Sequence, residues 1–355
     1  VLTLIPVLNV KISRMGRAAS QKFGDPSPLC LGLRDCIRGV LPEWQRGAAF
    51  GPERAETGGM VEIEWAEWAD HLRASAEGEA EWNSTVAAGL VRAGDKVAVD
   101  VGCGGGGMAK ALAATMPPGS TVVAIDADPD VLEQAREHTA GAVRCELASM
   151  DDGAEPLRKA IDAPADLIWA SASVHHAGDQ QAAIDALASL LAPGGRLALA
   201  ESGLPARSLS WDLGIGEPGL ELRLDLAQDR WFAAMRTSLP GSVRMPYGWT
   251  DALTRAGLTD VTTRSILTES PAPLSPEQRD RLITQFQHRV DRLNPDSEPT
   301  HGHGHGHVEV QEWLSPEDLA VWAQLLDPDD EHYLGRRTDL AVLSVRSIHI
   351  GHAPG

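Results

Sequence analysis

Cysteine is scarce in this chain: Cys30, Cys36, Cys103 and Cys145 are the four among 355 residues, and no two form a Cys-x-x-Cys pair. That excludes a small secreted scaffold stapled by disulfides and fits a reducing cytoplasm. Long apolar runs are missing as well. No stretch approaches the roughly 18 consecutive apolar residues of a membrane-spanning helix. The apolar opening Val1 to Val10 precedes its basic residues, the reverse of a secretory signal. A soluble cytoplasmic protein with no membrane partner is expected. Basic charge is also in short supply: 31 Lys and Arg stand against 50 Asp and Glu, a formal charge of −19. A chain of that sign repels a phosphate backbone, so nucleic acid is excluded as the main partner and a small-molecule substrate is expected. Oligomeric state is not legible.

Hydrophobic residues make up 43% of the chain, enough for a sizeable core. Their pattern changes near Met60. Residues 1–59 hold eight basic and five acidic residues, a balance of +3, whereas residues 60–355 carry −22. The first segment is broken by Gly, Pro and Arg without a repeat and is expected to be an N-terminal extension, poorly ordered or not native. The main domain is expected over 60–355, opening with an amphipathic helix from Val61 to Arg73 that carries Trp65 and Trp68. These tryptophans, with Trp82, either close over a cofactor or anchor the leading helices to the core.

After a short helix from Glu81 to Val91, apolar runs alternate with helical segments, the sequence form of a parallel sheet. Strands are predicted at Lys96–Val101, Thr121–Asp126, Ala142–Leu147, Ala165–Ala170 and Arg196–Glu201, with helices at Gly107–Ala114, Pro129–His138, Gly153–Ile161 and Gln180–Leu191 between them. Pro193-Gly194-Gly195 is expected to close the last of these helices. Residues 202–248 are less regular and are expected to cover the substrate. A helix capped by Thr250, a strand from Asp260 to Leu267 and a last strand from Leu340 to Ile350 complete the pattern. Between those two strands lies an excursion, 270–338, with helices at Pro276–Leu293 and after Ser315-Pro316-Glu317. All seven strands belong to one sheet.

Directly after the first strand stands Asp100-Val101-Gly102-Cys103-Gly104-Gly105-Gly106. Glycines there let the backbone turn sharply and approach a ligand, while the free N–H groups of the following helix face the same space. Asp126 ends the second strand about 20 residues later, where a carboxylate accepts both hydroxyls of a ribose. An acidic residue followed by Gly-x-Gly-x-Gly resembles the first motif of the class I S-adenosylmethionine-dependent methyltransferases. A dinucleotide fingerprint, and with it an NAD-linked oxidoreductase, needs Gly-x-Gly-x-x-Gly and no carboxylate facing a pyrophosphate. The resemblance extends from about Trp82 to Ile266, with further marks at Val123–Asp126, Ala165–Trp169 and Leu191–Arg196, and returns at the last strand.

The resemblance implies an α/β fold: a doubly wound, mostly parallel seven-stranded Rossmann-like sheet with helical cap insertions. It implies S-adenosyl-L-methionine as cofactor and S-adenosyl-L-homocysteine as product. Asp100, Gly102, Cys103 and Gly104 would hold the methionine end, and Asp126 with Ala127 the ribose. Ser149 stands where the family often has an acid near the adenine, so Met150 and Asp151 are the candidates for the adenine face and its amino group. Ala170, ending the fourth strand, is a further candidate cofactor-binding residue. The two histidines that follow, His175 and His176, are candidate general bases, His176 being read as either the base or a lid on the methionine pocket.

Other features point away from particular chemistries. His301, His303, His305 and His307 alternate with glycine; with no Cys or carboxylate interleaved, a mobile loop is expected rather than a metal site. The fourth strand lacks the Asn/Asp-Pro-Pro-Tyr element of amino-methylating nucleic-acid enzymes, and no Pro-Cys nucleophile or cysteine pair is present. Methylation of a neutral or cationic small metabolite is expected, with Arg223, Arg236 and Arg244 either holding an acidic group on it or lying at the surface. A cofactor-binding protein without transfer activity is the alternative.

Overall fold

A computed structural model describes residues 76–239, 241–294 and 313–355. Residues 1–59, the expected helix from Val61 to Arg73 and the His/Gly tract lie outside the described residues. The chain forms one seven-stranded sheet of order β3-β2-β1-β4-β5-β7-β6. Its strands are β1 (Val97–Val101), β2 (Thr121–Asp126), β3 (Arg144–Leu147), β4 (Ala165–Ser171), β5 (Leu191–Arg207), β6 (Thr259–Ser270) and β7 (Val342–His352). The first five run parallel, and β7 runs antiparallel to both β5 and β6. Four of the five β1 residues are buried, the near-continuous apolar run required of a strand covered on both faces.

The covering helices are α1 (Ala80–Leu90), α2 (Gly107–Thr115), α3 (Pro129–Thr139), α4 (Ala154–Ile161), α5 (Gln180–Ala188) and α7 (Trp249–Arg255). Leu90, Leu112 and Leu132 from α1 to α3 pack with Trp169 on one face of the sheet. Leu157, Ile184, Leu187 and Leu253 from α4, α5 and α7 pack with Val99 and Ile168 on the other. Local chemistry sets the starts: Asp128 Oδ1 accepts from Asp130 N (2.9 Å) and Val131 N (3.0 Å) ahead of α3, and Asp179 Oδ1 from Ala182 N (3.0 Å) ahead of α5.

A third core belongs to the insertions. Helix α6 (Leu220–Ser238) rises from the 202–248 segment, and α8 (Pro276–Leu293) and α9 (Pro316–Leu326) from the β6–β7 excursion. Leu224, Trp231, Phe286 and Trp322 fill the space between them, with the Phe286 and Trp322 rings 5.0 Å apart. The register pairs Arg207 of β5 with Leu343 of β7, which faces Glu269 of β6, so both insertions leave the sheet at its same end.

Three expectations change. Helix α5 stops at Ala188, and Leu191 already pairs with Ala165, so Pro193-Gly194-Gly195 sits inside β5 beside a break in register rather than closing the helix. Gly195 is required there, since a Cβ would lie 2.7 Å from Ala165 O. Helix α7 begins at Trp249, with extended Gly248 rather than Thr250 in the capping position. The 202–248 segment contains a regular 19-residue helix. Its stripe of Leu220, Leu224, Ala227, Trp231 and Met235 is buried, but Leu222 and Leu226, about half exposed, blur the period in the sequence.

Candidate active site

Where β1, β2 and β4 end, a cleft of about 1200 Å³ opens between the sheet and α6. The glycine loop forms its floor. Gly102 and Gly104 hold φ of 66° and 50°, and Gly106, at 76°, starts α2. Gly102 N (2.8 Å) and Cys103 N (3.0 Å) both donate to Ile125 O, which folds the loop back over the end of β2. A Cβ on Gly102 would meet Ser173 Cβ at 2.4 Å, so the loop and the turn after β4 fit only without a side chain.

Asp126 closes β2 against that loop: Oδ2 accepts from Gly104 N (3.0 Å) and Oδ1 from Asp128 N (3.2 Å). Burial pushes its carboxyl up, and these backbone N–H groups with that of Ala127 oppose the shift. Two backbone donors leave the carboxylate's remaining lone pairs for further hydroxyls. Asp100 is the less satisfied of the two acids. It is 3% exposed, its Oδ2 has no hydrogen-bond partner among the described residues, and burial raises its carboxyl to about 7 against the Ala109 N–H, with the Asp126 charge adding to the rise. A buried carboxylate oxygen without a donor is costly until a cationic group meets it from the cleft, and the ammonium of an amino acid moiety fits that requirement. Between them, burial and the two carboxylates push the Cys103 thiol well above its ordinary range, keeping it neutral and inert.

Ala127 also lines the cleft, as do Ser149, Met150 and Asp151 beyond β3. Ser149 Oγ caps the turn Met150–Asp152 by accepting from Asp151 N (3.2 Å). Met150 packs part of its surface on the core, and Asp151 Oδ1 accepts from Gly178 N (2.9 Å). Ala170 is not brought to the site. It stays fully buried within β4, and Ser171 and Ala172 reach the cleft in its place.

Both histidines line the cleft on the turn Val174–His176. The structure separates them. His175 Nδ1 lies 2.7 Å from Glu201 Oε2, a carboxylate 1% exposed at the end of the inner half of β5. Glu201 Oε1 is fixed in turn by Ser173 N (3.0 Å) and Val174 N (2.8 Å). The His175 ring lies 4.2 Å from that of His176 and 5.6 Å, edge-on, from Phe232 of α6. With an acceptor at Nδ1, the ring carries its proton there and presents Nε2 as a base. Sequence reasoning missed Glu201, although the signal that singled out Asp126, an acid closing a buried apolar strand, is repeated at Leu197-Ala198-Leu199-Ala200-Glu201.

Two of the three arginines of the cover are committed to other partners, and the third lies away from the cleft. Arg223 donates from Nε and Nη2 to Asp318 (both 2.8 Å), and Arg236 caps carbonyls of the His175–Gly178 turn. Arg244 is exposed and lies outside the cleft lining. The cation that does line it, Arg346, is paired with both oxygens of Glu79 and stands 4.7 Å over the Trp82 ring.

Residues 99–197, from β1 into β5, match the family model of a methyltransferase domain. Ubiquinone biosynthesis O-methyltransferase of Xylella fastidiosa is 38% identical over 102 residues, which is 28% of this chain and 39% of that protein. An uncharacterized methyltransferase of Mycobacterium tuberculosis is 33% identical over 126 residues, 35% of this chain and 60% of that protein. The chain thus spans about two fifths of the length of the first curated relatives it matches. A phosphoethanolamine N-methyltransferase of Haemonchus contortus, solved with S-adenosyl-L-methionine, has a TM-score of 0.36 at 13% identity, over 74% of this chain and 49% of that one, too loose a likeness to carry weight. The glycine loop after β1 and the acid ending β2 both lie within the segment that matches the methyltransferase-domain model. The chain is similar to methyltransferase domains over that segment, and α6, α8 and α9 lie beyond it in sequence.

Proposed function

We propose that the protein transfers a methyl group from S-adenosyl-L-methionine to a small neutral or cationic acceptor and releases S-adenosyl-L-homocysteine. The observation that carries this reading is the buried Asp100 Oδ2, without a donor among the described residues, beside Asp126; together they match a ligand bearing an ammonium and a ribose. When bound, the cofactor supplies an activated methyl group. The protein's own residues bind and orient: Asp100 takes the ammonium, Asp126 the ribose hydroxyls, and Met150 and Asp151 the adenine end. The cleft, at about 1200 Å³, exceeds the ~300–1000 Å³ typical of one ligand and leaves room for an acceptor next to His175. His175 Nε2 removes the proton of an acceptor hydroxyl or amine, and Glu201 holds the ring and stabilises the imidazolium.

Carboxylates outnumber free cations around the cleft, which favours a neutral or positively charged acceptor and disfavours nucleic acid. The thiols of Cys103 and Cys145 are unpaired, in keeping with a cytoplasmic setting. Among the described residues no helix is long and apolar enough to cross a membrane. Calorimetry with S-adenosyl-L-homocysteine and NAD tests the reading. The parent should bind the first and not the second, and Asp126→Ala should weaken binding at least ~tenfold, since each charge-assisted hydrogen bond contributes about 1.5–3 kcal/mol. Tighter binding of NAD, or an Asp126→Ala variant that binds like the parent, overturns it.

A further inference from the structure

Arg236 lies near the end of α6, one helical turn beyond Phe232 and two beyond Gln228 and Asp229, and those three residues form the face of α6 that lines the cleft. Its guanidinium reaches down into the turn between β4 and α5. Nη1 donates to His175 O (3.0 Å) and to Ala177 O, and Nη2 to Gly178 O (3.2 Å). The segment after α6 binds the same turn, through Val243 N to Gly178 O (3.0 Å). The Ala177–Gly178 peptide, whose carbonyl accepts from Arg236, donates its N–H from Gly178 to Asp151 Oδ1 (2.9 Å), in the loop assigned above to the adenine end of the cofactor. Burial draws the guanidinium below its usual range, and the charges of Asp151 and Asp179 sustain it.

A continuous hydrogen-bonded path therefore joins Asp151, the Ala177–Gly178 peptide, Arg236 and the acceptor-facing wall of α6. We propose that Arg236 is a positioning residue: through the Ala177–Gly178 peptide it ties α6, with Phe232 against the His175 ring, to the loop at the cofactor's adenine end, so that a filled cofactor site fixes the wall of the acceptor pocket. This rests on the methyltransferase reading. Arg236 touches neither reactant. Its fork suits the task because three carbonyls at different angles need several donors in a fixed plane, which a lysine ammonium supplies only in part.

Hydrogen–deuterium exchange on the full chain, with and without S-adenosyl-L-homocysteine, tests the link. In the parent the ligand should slow exchange at 100–151, where it binds, and also in α6, by about tenfold or more. Arg236→Gln should keep the protection at 100–151 and lose it in α6, and Arg236→Lys should restore part of it. Unchanged α6 exchange in the parent overturns the proposal even if Arg236→Gln fails to fold. Equal α6 protection in a folded Arg236→Gln overturns it as well. Absence of ligand protection at 100–151 in the parent sinks the methyltransferase reading and this inference together, whereas protection there with none in α6 sinks the inference alone.

Discussion

The two acids at the end of the sheet differ in what the backbone already gives them. Asp126 holds backbone donors on both oxygens, whereas Asp100 Oδ2 has none among the described residues. Burial raises the Asp100 carboxyl to about 7 in the folded protein from the 3.8 usual for an exposed aspartate, so the folded state keeps the proton more tightly between those values. Stability of the cofactor-free protein therefore falls as pH rises from about 4 to 7, by at most roughly 4 kcal/mol. Asp100→Asn should raise the melting temperature at pH 8 by a few degrees while abolishing the ammonium contact and weakening cofactor binding at least ~tenfold, as read by scanning and titration calorimetry. In the parent, affinity should drop as pH falls below about 7, because the neutral acid cannot pair with a cation; a flat profile would contradict this role. At the other end of the cleft, His175→Ala should lower the rate of S-adenosyl-L-homocysteine formation by about a hundredfold or more with little change in cofactor affinity, and His176→Ala should do less, since Glu201 orients His175. The reverse ranking would place the base at His176.

At the scale of elements, the glycine loop and the turn after β4 form one unit. Ser173 has its N held by Glu201 Oε1 (3.0 Å) and its Oγ by Val101 O (3.2 Å), so it cannot retreat from a side chain added at Gly102. Gly102→Ala, at a φ of 66°, should lower both the melting temperature and cofactor affinity, the latter at least ~tenfold; normal affinity would show that the loop yields. Much of this was legible in the sequence. The five parallel strands and the four helices between them, Gly102 to Gly106, Asp126 and the helix Pro276–Leu293 follow from period, turn residues and caps, each a local signal. What escaped was set by contacts between distant segments. Glu201 meets His175 across two strands, Arg236 meets Gly178 across 58 residues, and Ala170 faces the core because β4 runs on to Ser171. No local pattern encodes those meetings.

On the scale of the whole molecule, one buried ion pair fastens the leading helix to the sheet. Arg196 of β5, 3% exposed, pairs with Asp95 and donates from Nε to Leu90 O (3.0 Å), the last residue of α1, and from Nη1 to Asp166 O (3.0 Å). Burial raises the Asp95 carboxyl, but the Arg196 hydrogen bonds, the Arg92 N–H and their charges outweigh it and leave it below the usual range. Its contribution is present near neutrality and is lost as pH falls through that depressed value. Asp95→Ala, leaving a buried guanidinium unpaired, should cost about 3–5 kcal/mol in urea denaturation, and a loss below about 1 kcal/mol would mean that the pair is dispensable. The reversed direction of β7 bears on how such a molecule diversifies. Because β7 returns between β5 and β6, the chain emerges above the cleft after β5 and again after β6, and each time it rejoins strands or helices whose pairing does not depend on what was added. Lengthening such a detour adds little closure entropy, so the β6–β7 excursion with α8 and α9 can vary for a new acceptor, whereas α6 stays tied to the floor through Arg236.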